Sequence, residues 1–261
     1  MPRFAANLSM LFTELPFRER FAAAAAAGFQ GVEVLFPYAE AAGSIRERLR
    51  ENGLEQVLFN LPPGDWDAGE RGLAALPGRE ADFRDSVALA LDYARALGCR
   101  RLHAMAGVIP EGVEHRQCEA VYLRNLRYAA GEAARLDCTI VIEPINRVDM
   151  PGYFLSRQAD ARRHLEAVGA DNLRLQFDVY HCQMTEGRIS HWLEHHLPVL
   201  EHVQVAGVPG RHEPQACEID YVWLFRLLDR IGYRGWVGCE YRPANTTTAG
   251  LQWGRPWGIG D

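Results

Sequence analysis

The chain has 261 residues, 48% of them hydrophobic and 24% charged, with a formal net charge of −6 and a pI near 5.9. That acidity argues against nucleic acid as the main partner, because phosphate backbones recruit basic surfaces. All 28 basic residues are arginine, so a lysine Schiff base and a P-loop lysine are both excluded.

The first apolar run, residues 4–7, reads as a strand that begins almost at the N-terminus and leaves no room for a signal peptide. A helix is expected over 17–27. Its alanine run, 22–27, spans about one and a half turns and follows Arg18, Glu19 and Arg20, so it reads as a helix face and not a membrane span. Strands follow at 31–35 and 56–60, then a long connection over 61–79 and a helix over 80–97. A strand at 101–105 leads to a helix over 117–136. Strand 139–143, connection 146–157 and helix 158–168 come next. Strands 173–178 and 202–205, connection 206–220, helix 221–231 and strand 236–240 complete the series. The tail W-G-R-P-W-G-I-G-D is expected to cover a helix. Gly28, Gly53, Gly98, Gly169 and Gly232 supply helix stops, and the order helix, glycine, apolar run is the mark of a helix turning into a parallel strand.

Eight strand–helix units in a chain of this length predict one domain over 1–261, a closed (β/α)8 TIM barrel. A doubly wound open sheet is the alternative, weakened by the missing G-x-G-x-x-G after the first strand. Cys99, Cys118, Cys138, Cys182, Cys217 and Cys239 form no C-x-x-C pair, which fits reduced thiols and a cytoplasmic location. His191, His195 and His196 share a helical segment whose amphipathic pattern accounts for them without a metal. The composition offers nothing to a membrane and leaves a homo-oligomer open.

Four polar residues close four neighbouring apolar runs: Glu143 in T-I-V-I-E, Asp178 in L-R-L-Q-F-D, Gln204 in H-V-Q-V and Glu240 in G-W-V-G-C-E. Strand ends in such a barrel converge at one mouth, where buried carboxylates are costly unless compensated. The cheapest compensation is a divalent cation. An all-oxygen set favours Mg²⁺ or Mn²⁺ over Zn²⁺. The bland alternative is that some of these residues cap loops or pair with arginine. His181, three residues after Asp178, and Arg211, in A-G-V-P-G-R-H-E-P, fall in connections at the same face and are candidates for the polar end of a substrate. His103 is a third candidate. Asn7, Glu33 and Asn60 are polar residues in apolar strands, equally suited to internal hydrogen bonds and to substrate contact.

The segments F-A-A-N-L-S-M-L-F-T-E, N-L-P-P-G-D-W-D-A-G-E-R-G, L-P-G-R-E, V-I-E-P-I-N, F-D-V-Y-H-C-Q, H-V-Q-V-A-G-V-P-G-R-H-E-P and G-W-V-G-C-E-Y-R-P resemble the hydroxypyruvate isomerase family of xylose isomerase-like barrels. The resemblance spans nearly the whole chain. It implies an enzyme of the aldose–ketose isomerase type with a divalent metal at the barrel mouth and a small-molecule substrate. It implies Glu143 and Glu240 as the catalytic pair and Glu143, Asp178, Gln204 and Glu240 as metal ligands. The reaction implied is interconversion of hydroxypyruvate and tartronate semialdehyde by proton transfer through an enediolate. Several segments fit the related 2-oxo-tetronate isomerases equally well, so a four-carbon acid is the alternative. A pocket wall of Trp66, Phe12 and residues 146–153 would set substrate length. More distant alternatives are a non-catalytic sugar-acid binding barrel and a phosphodiester-cleaving DNA repair enzyme of the same barrel class.

Overall fold

Eight parallel strands close into a barrel in strict chain order. The computed structural model describes residues 2–260. The strands are β1 (Arg3–Asn7), β2 (Gly31–Val34), β3 (Glu55–Asn60), β4 (Arg101–His103), β5 (Thr139–Ile142), β6 (Leu173–Asp178), β7 (Leu200–Val205) and β8 (Trp236–Cys239). The helices are α1 (Arg20–Ala26), α2 (Ala42–Asn52), α3 (Glu80–Leu97), α4 (His115–Ala134), α5 (Gln158–Val168), α6 (Val179–Thr185), α7 (Ile189–His196), α8 (Tyr221–Ile231) and α9 (Thr247–Gly250). The expected helix over 17–27 divides into a short 3-10 turn, Phe17–Glu19, and α1.

Helix α2 is poor in apolar residues and buries only Ile45 and Leu49, so its stop at Gly53 is the one mark it leaves in the sequence. Gly53, Gly98, Gly169 and Gly232 each stand in the left-handed region directly after α2, α3, α5 and α8, a conformation that costs a residue with a Cβ.

Strand alternation builds two cores. Outward side chains such as Phe4, Ala6, Phe59, Leu102 and Ile140 pack under the helices in one large cluster. A second cluster, Ala5, Val57, Leu58, Val141 and Trp236, fills the N-terminal end of the barrel and makes its floor. The C-terminal tail forms a 3-10 helix, Leu251–Trp257, whose Trp253 packs edge-on to Phe4 at 5.4 Å and against Phe225 of α8 at 6.1 Å. It therefore covers a helix, as its sequence indicated. No helix among the described residues is long and apolar enough to cross a membrane.

Candidate active site

The alternation that puts Ala5, Val141 and Trp236 in the floor brings Asn7, Glu143 and Glu240 inward nearer the C-terminal mouth. Asp178 and Gln204 are register partners on β6 and β7, and Gln204 also faces Gly238 across β8. Glu143, Asp178, Gln204 and Glu240 are all buried. Four strand ends therefore converge in one region.

Their contacts differ. Asp178 has two jobs. Its Oδ1 caps α6 by accepting from the amides of Tyr180 at 2.7 Å and His181 at 3.4 Å. Its Oδ2 is buried without a hydrogen-bond partner, as is Glu143 Oε1. Donor atoms of Glu143, Asp178 and His181 all lie within 4.8 Å of one another. His181 is in the first turn of α6 and not in a loop as expected, because the Asp178 cap starts a helix there. The Nε2 of His181 stands 3.9 Å from Glu143 Oε1 and 3.7 Å from Asp178 Oδ2. Its Nδ1 is fixed by the Asn146 amide at 2.6 Å.

Glu240 faces the same space but is already partnered. Asn7 donates to Oε1 at 3.2 Å, and Arg211 Nη2 lies 2.5 Å from Oε2. The same Nη2 is 3.6 Å from Asp178, and the guanidinium lies over the Tyr180 ring at 5.0 Å. Arg211 thus pairs with the site carboxylates. Gln204 is held by two bonds: its Oε1 accepts from Gln176 at 2.6 Å and its Nε2 donates to Glu33 Oε2 at 2.9 Å. One lone pair of that carbonyl oxygen remains.

Burial, and then the charges of Asp178 and Glu240, push Glu143 well above the ordinary carboxylate range. Burial raises Glu240 to about 8, against the lowering effect of Arg211, and burial also raises Asp178. Burial lowers His103 to about 3 and takes His181 well below its usual value, so both imidazoles are neutral near pH 7. His103 Nδ1 meets Asn60 Oδ1 at 3.3 Å and lies 3.6 Å from Glu143.

Over these residues opens a cavity of about 580 Å³, lined by His103, Glu143, His181, Arg211 and Glu240 together with Phe36, Trp66, Arg71 and Arg242. Trp66 and residues 149 and 150 of the β5–α5 connection are in its wall, as expected. Phe12 is not; it is buried against Phe29, away from the mouth.

A supporting layer was only partly visible in the sequence. His202 and Glu33 are in hydrogen-bonding contact, both buried, and Glu33 also accepts from Asn7 and Gln204. Gly238 makes room for this group, since a Cβ there would overlap the Glu33 carboxylate. His202 and Gln176 went unremarked. The signal was period two: His202 precedes Gln204 by two residues, and Gln176 precedes Asp178 by two.

A chain with these features has close relatives. The profile of the xylose isomerase-like TIM barrel family matches residues 21–257. A 2-oxo-tetronate isomerase of Cupriavidus necator is 56% identical over 98% of this chain and 99% of its own length. The hydroxypyruvate isomerase of Escherichia coli is 46% identical over 98% of this chain and 100% of its own length. Among solved structures, one from Brucella melitensis named as an AP endonuclease, family 2, superposes with a TM-score of 0.97 at 50% identity, covering 98% of this chain and 99% of that one.

Proposed function

The chain belongs to the xylose isomerase-like TIM barrel family, and we propose that it is an isomerase interconverting hydroxypyruvate and tartronate semialdehyde by proton transfer between adjacent carbons. The observation that carries this reading is the convergence of Glu143 and Glu240 on one cavity above partnerless carboxylate oxygens. The residues fit a divalent cation: Glu143 and Asp178 each present a buried, partnerless oxygen within 4.8 Å of one another, and Gln204 retains a lone pair. Asn146 Nδ2 donates to His181 Nδ1, so the neutral ring carries its proton on Nε2, and the donors facing a cation are the oxygens read from the sequence, which suit Mg²⁺ and Mn²⁺ alike. A cation bound there would offset the negative charge that develops on the substrate oxygens.

The chain's own residues do the remaining chemistry. One of Glu143 and Glu240 takes the proton from C3, and the other delivers a proton to C2 of the enediolate, so one must be a carboxylate while the other is an acid. Their raised affinity for protons allows that division near neutral pH. Neutral His103 and His181 offer hydrogen bonds to substrate oxygens. Arg211 neutralises Glu240 and holds it at the cavity.

A second reading, isomerisation of a 2-oxo-tetronate, is favoured by a specific observation: the Cupriavidus necator relative is more similar than the Escherichia coli one, at 56% against 46%. The machinery would be the same and the acid one carbon longer. A phosphodiester-cleaving reading has the name of the Brucella melitensis structure behind it. Against it stand the net charge of −6 and a donor cluster with a single histidine. The test is turnover of hydroxypyruvate, 2-oxo-tetronate and six-carbon ketoses in the presence of Mn²⁺ or Mg²⁺. Preference for the three-carbon acid supports the first reading. Preference for four carbons by an order of magnitude replaces it with the second, and binding without turnover of any acid ends both.

A further inference from the structure

Resting on the reading that the substrate is a short oxo acid, its carboxylate needs a cationic partner at the cavity. The chain has no lysine, and three arginines line the cavity. Arg211 is taken: it lies 2.5 Å from Glu240 and 3.6 Å from Asp178. Arg242 is exposed at the rim, and only its backbone is anchored, by an amide bond to Arg211 O at 2.8 Å. Arg71 is neither taken nor loose. Its guanidinium lies 3.9 Å from the centroid of the Trp66 ring, and its Nη1 donates to the carbonyls of Trp66 and Glu70, each at 2.8 Å. Those contacts use one nitrogen and one face. Among the described residues no carboxylate pairs with Arg71, so Nη2 and Nε keep a pair of donors suited to a carboxylate.

The loop that carries Arg71 is rigidly built. Glu70 beside it accepts from the Asp65 amide at 2.6 Å and is ion-paired to Arg79. Gly64, at φ +87°, has no room for a Cβ because the Glu70 carboxylate fills that space. Gly72, on the other side of Arg71, forms a bridge to Ala106, and Ala75 N bonds Ala106 O at 2.8 Å. Trp66 in turn rests on Phe36, with ring centroids 5.1 Å apart. Much of the conspicuous segment P-P-G-D-W-D-A-G-E-R-G is thus spent on fixing one indole and one guanidinium at the cavity wall. A cation held this way loses little freedom when it binds an anion.

We infer that Arg71 anchors the substrate's carboxylate, with the Trp66 indole as the wall beside it. The glutamate pair acts at the other end of a short acid.

The test separates this anchor from the reaction. Pyruvate keeps the oxo group and the carboxylate but has no hydroxyl, so it can bind without being isomerised. Hydroxyacetone is a neutral counterpart. Calorimetry on the Mn²⁺-loaded full chain should show Arg71→Met weakening pyruvate about tenfold or more while hydroxyacetone changes by less than about twofold, and Arg71→Lys recovering part of the loss. In kinetics, KM for hydroxypyruvate should rise by a similar factor with kcat little changed. A far smaller pyruvate effect, an equal loss for both ligands, or the loss appearing in Arg242→Met instead, overturns the assignment. If the wild-type chain turns over no oxo acid but pyruvate affinity still falls in Arg71→Met, the isomerase reading fails and the anchor stands. An unchanged melting temperature in Arg71→Met keeps a folding defect from imitating the result.

Discussion

The two ends of the barrel interior are built from the same strands and obey opposite rules. At the floor, Ala5, Val57, Leu58, Val141 and Trp236 are buried and apolar, and the Trp236 Nε1 reaches Glu55 at 3.3 Å. A few residues further along the strands, Glu143, Asp178 and Glu240 are buried as deeply with partnerless or shared charges. The floor holds what burial favours, and the mouth holds what burial penalises. The difference teaches where stability and activity reside: changes at the floor should cost folding and spare chemistry, and changes at the mouth should do the reverse.

The strongest way to break that division is to remove the floor. Trp236→Ala should cost about 3–5 kcal/mol in denaturant unfolding, the usual scale for a large aromatic truncated in a core. Turnover per folded molecule should stay within a few-fold of wild type. A comparable collapse of turnover in fully folded protein would dissolve the distinction.

At the mouth, Glu143→Gln and Glu240→Gln should each lower turnover by at least about a hundredfold, the scale of losing a general base. Their melting temperatures should hold or rise, since each change removes a buried charge that burial disfavours. Near-normal turnover in both variants would remove them from the chemistry.

Gly238→Ala sits between the two ends and sharpens the boundary. The new methyl must push the Glu33 carboxylate aside. Overpacking of this kind costs about 1–3 kcal/mol, and here Gln204 and Asn7 would lose their common acceptor. A loss of Mn²⁺ affinity alongside the stability loss, measured by electron paramagnetic resonance, would place the Glu33 layer with the mouth. Stability loss alone would place it with the floor.

The mildest probe is pH. Glu240 is raised from 4.5 to about 8 in the folded metal-free chain, and Glu143 is raised as well. A carboxyl that binds its proton more tightly when folded stabilises the fold below the ordinary carboxylate range. That contribution fades as pH climbs through the folded value. Metal-free protein should therefore melt at lower temperature as pH rises from about 4.5 towards about 8, and Mn²⁺ should flatten the decline. A melting temperature indifferent both to pH and to Mn²⁺ would contradict the account of the carboxylate cluster.

The barrel was legible because its signals are periodic. A glycine stop followed by a short apolar run marks the strands after Gly28, Gly53, Gly98, Gly169 and Gly232, an apolar run alone marks the other three, and the residues closing four strands mark the mouth. Helix α2 is marked in the sequence only by its stop at Gly53, α7 only by the spacing of its histidines, and α6, seven residues long, owes its start to the Asp178 cap. Partnership was not legible. Nothing in A-G-V-P-G-R-H-E-P says that Arg211 turns back to Glu240, and nothing in E-R-G says that Arg71 lies on Trp66. Those facts depend on loops meeting across the barrel mouth, which strand and helix periods do not encode.

The central claim is that Glu143 and Glu240 move a proton between adjacent carbons of a short oxo acid. Its most direct test is early-turnover isomerisation of hydroxypyruvate in deuterium oxide, read by nuclear magnetic resonance with the wild-type chain and both glutamine variants. The account predicts deuterium at C2 of the tartronate semialdehyde formed by the wild-type enzyme, and loss of that labelled product in Glu143→Gln and Glu240→Gln. Product formed at the normal rate with no deuterium at C2, or labelled equally by all three proteins, would contradict it.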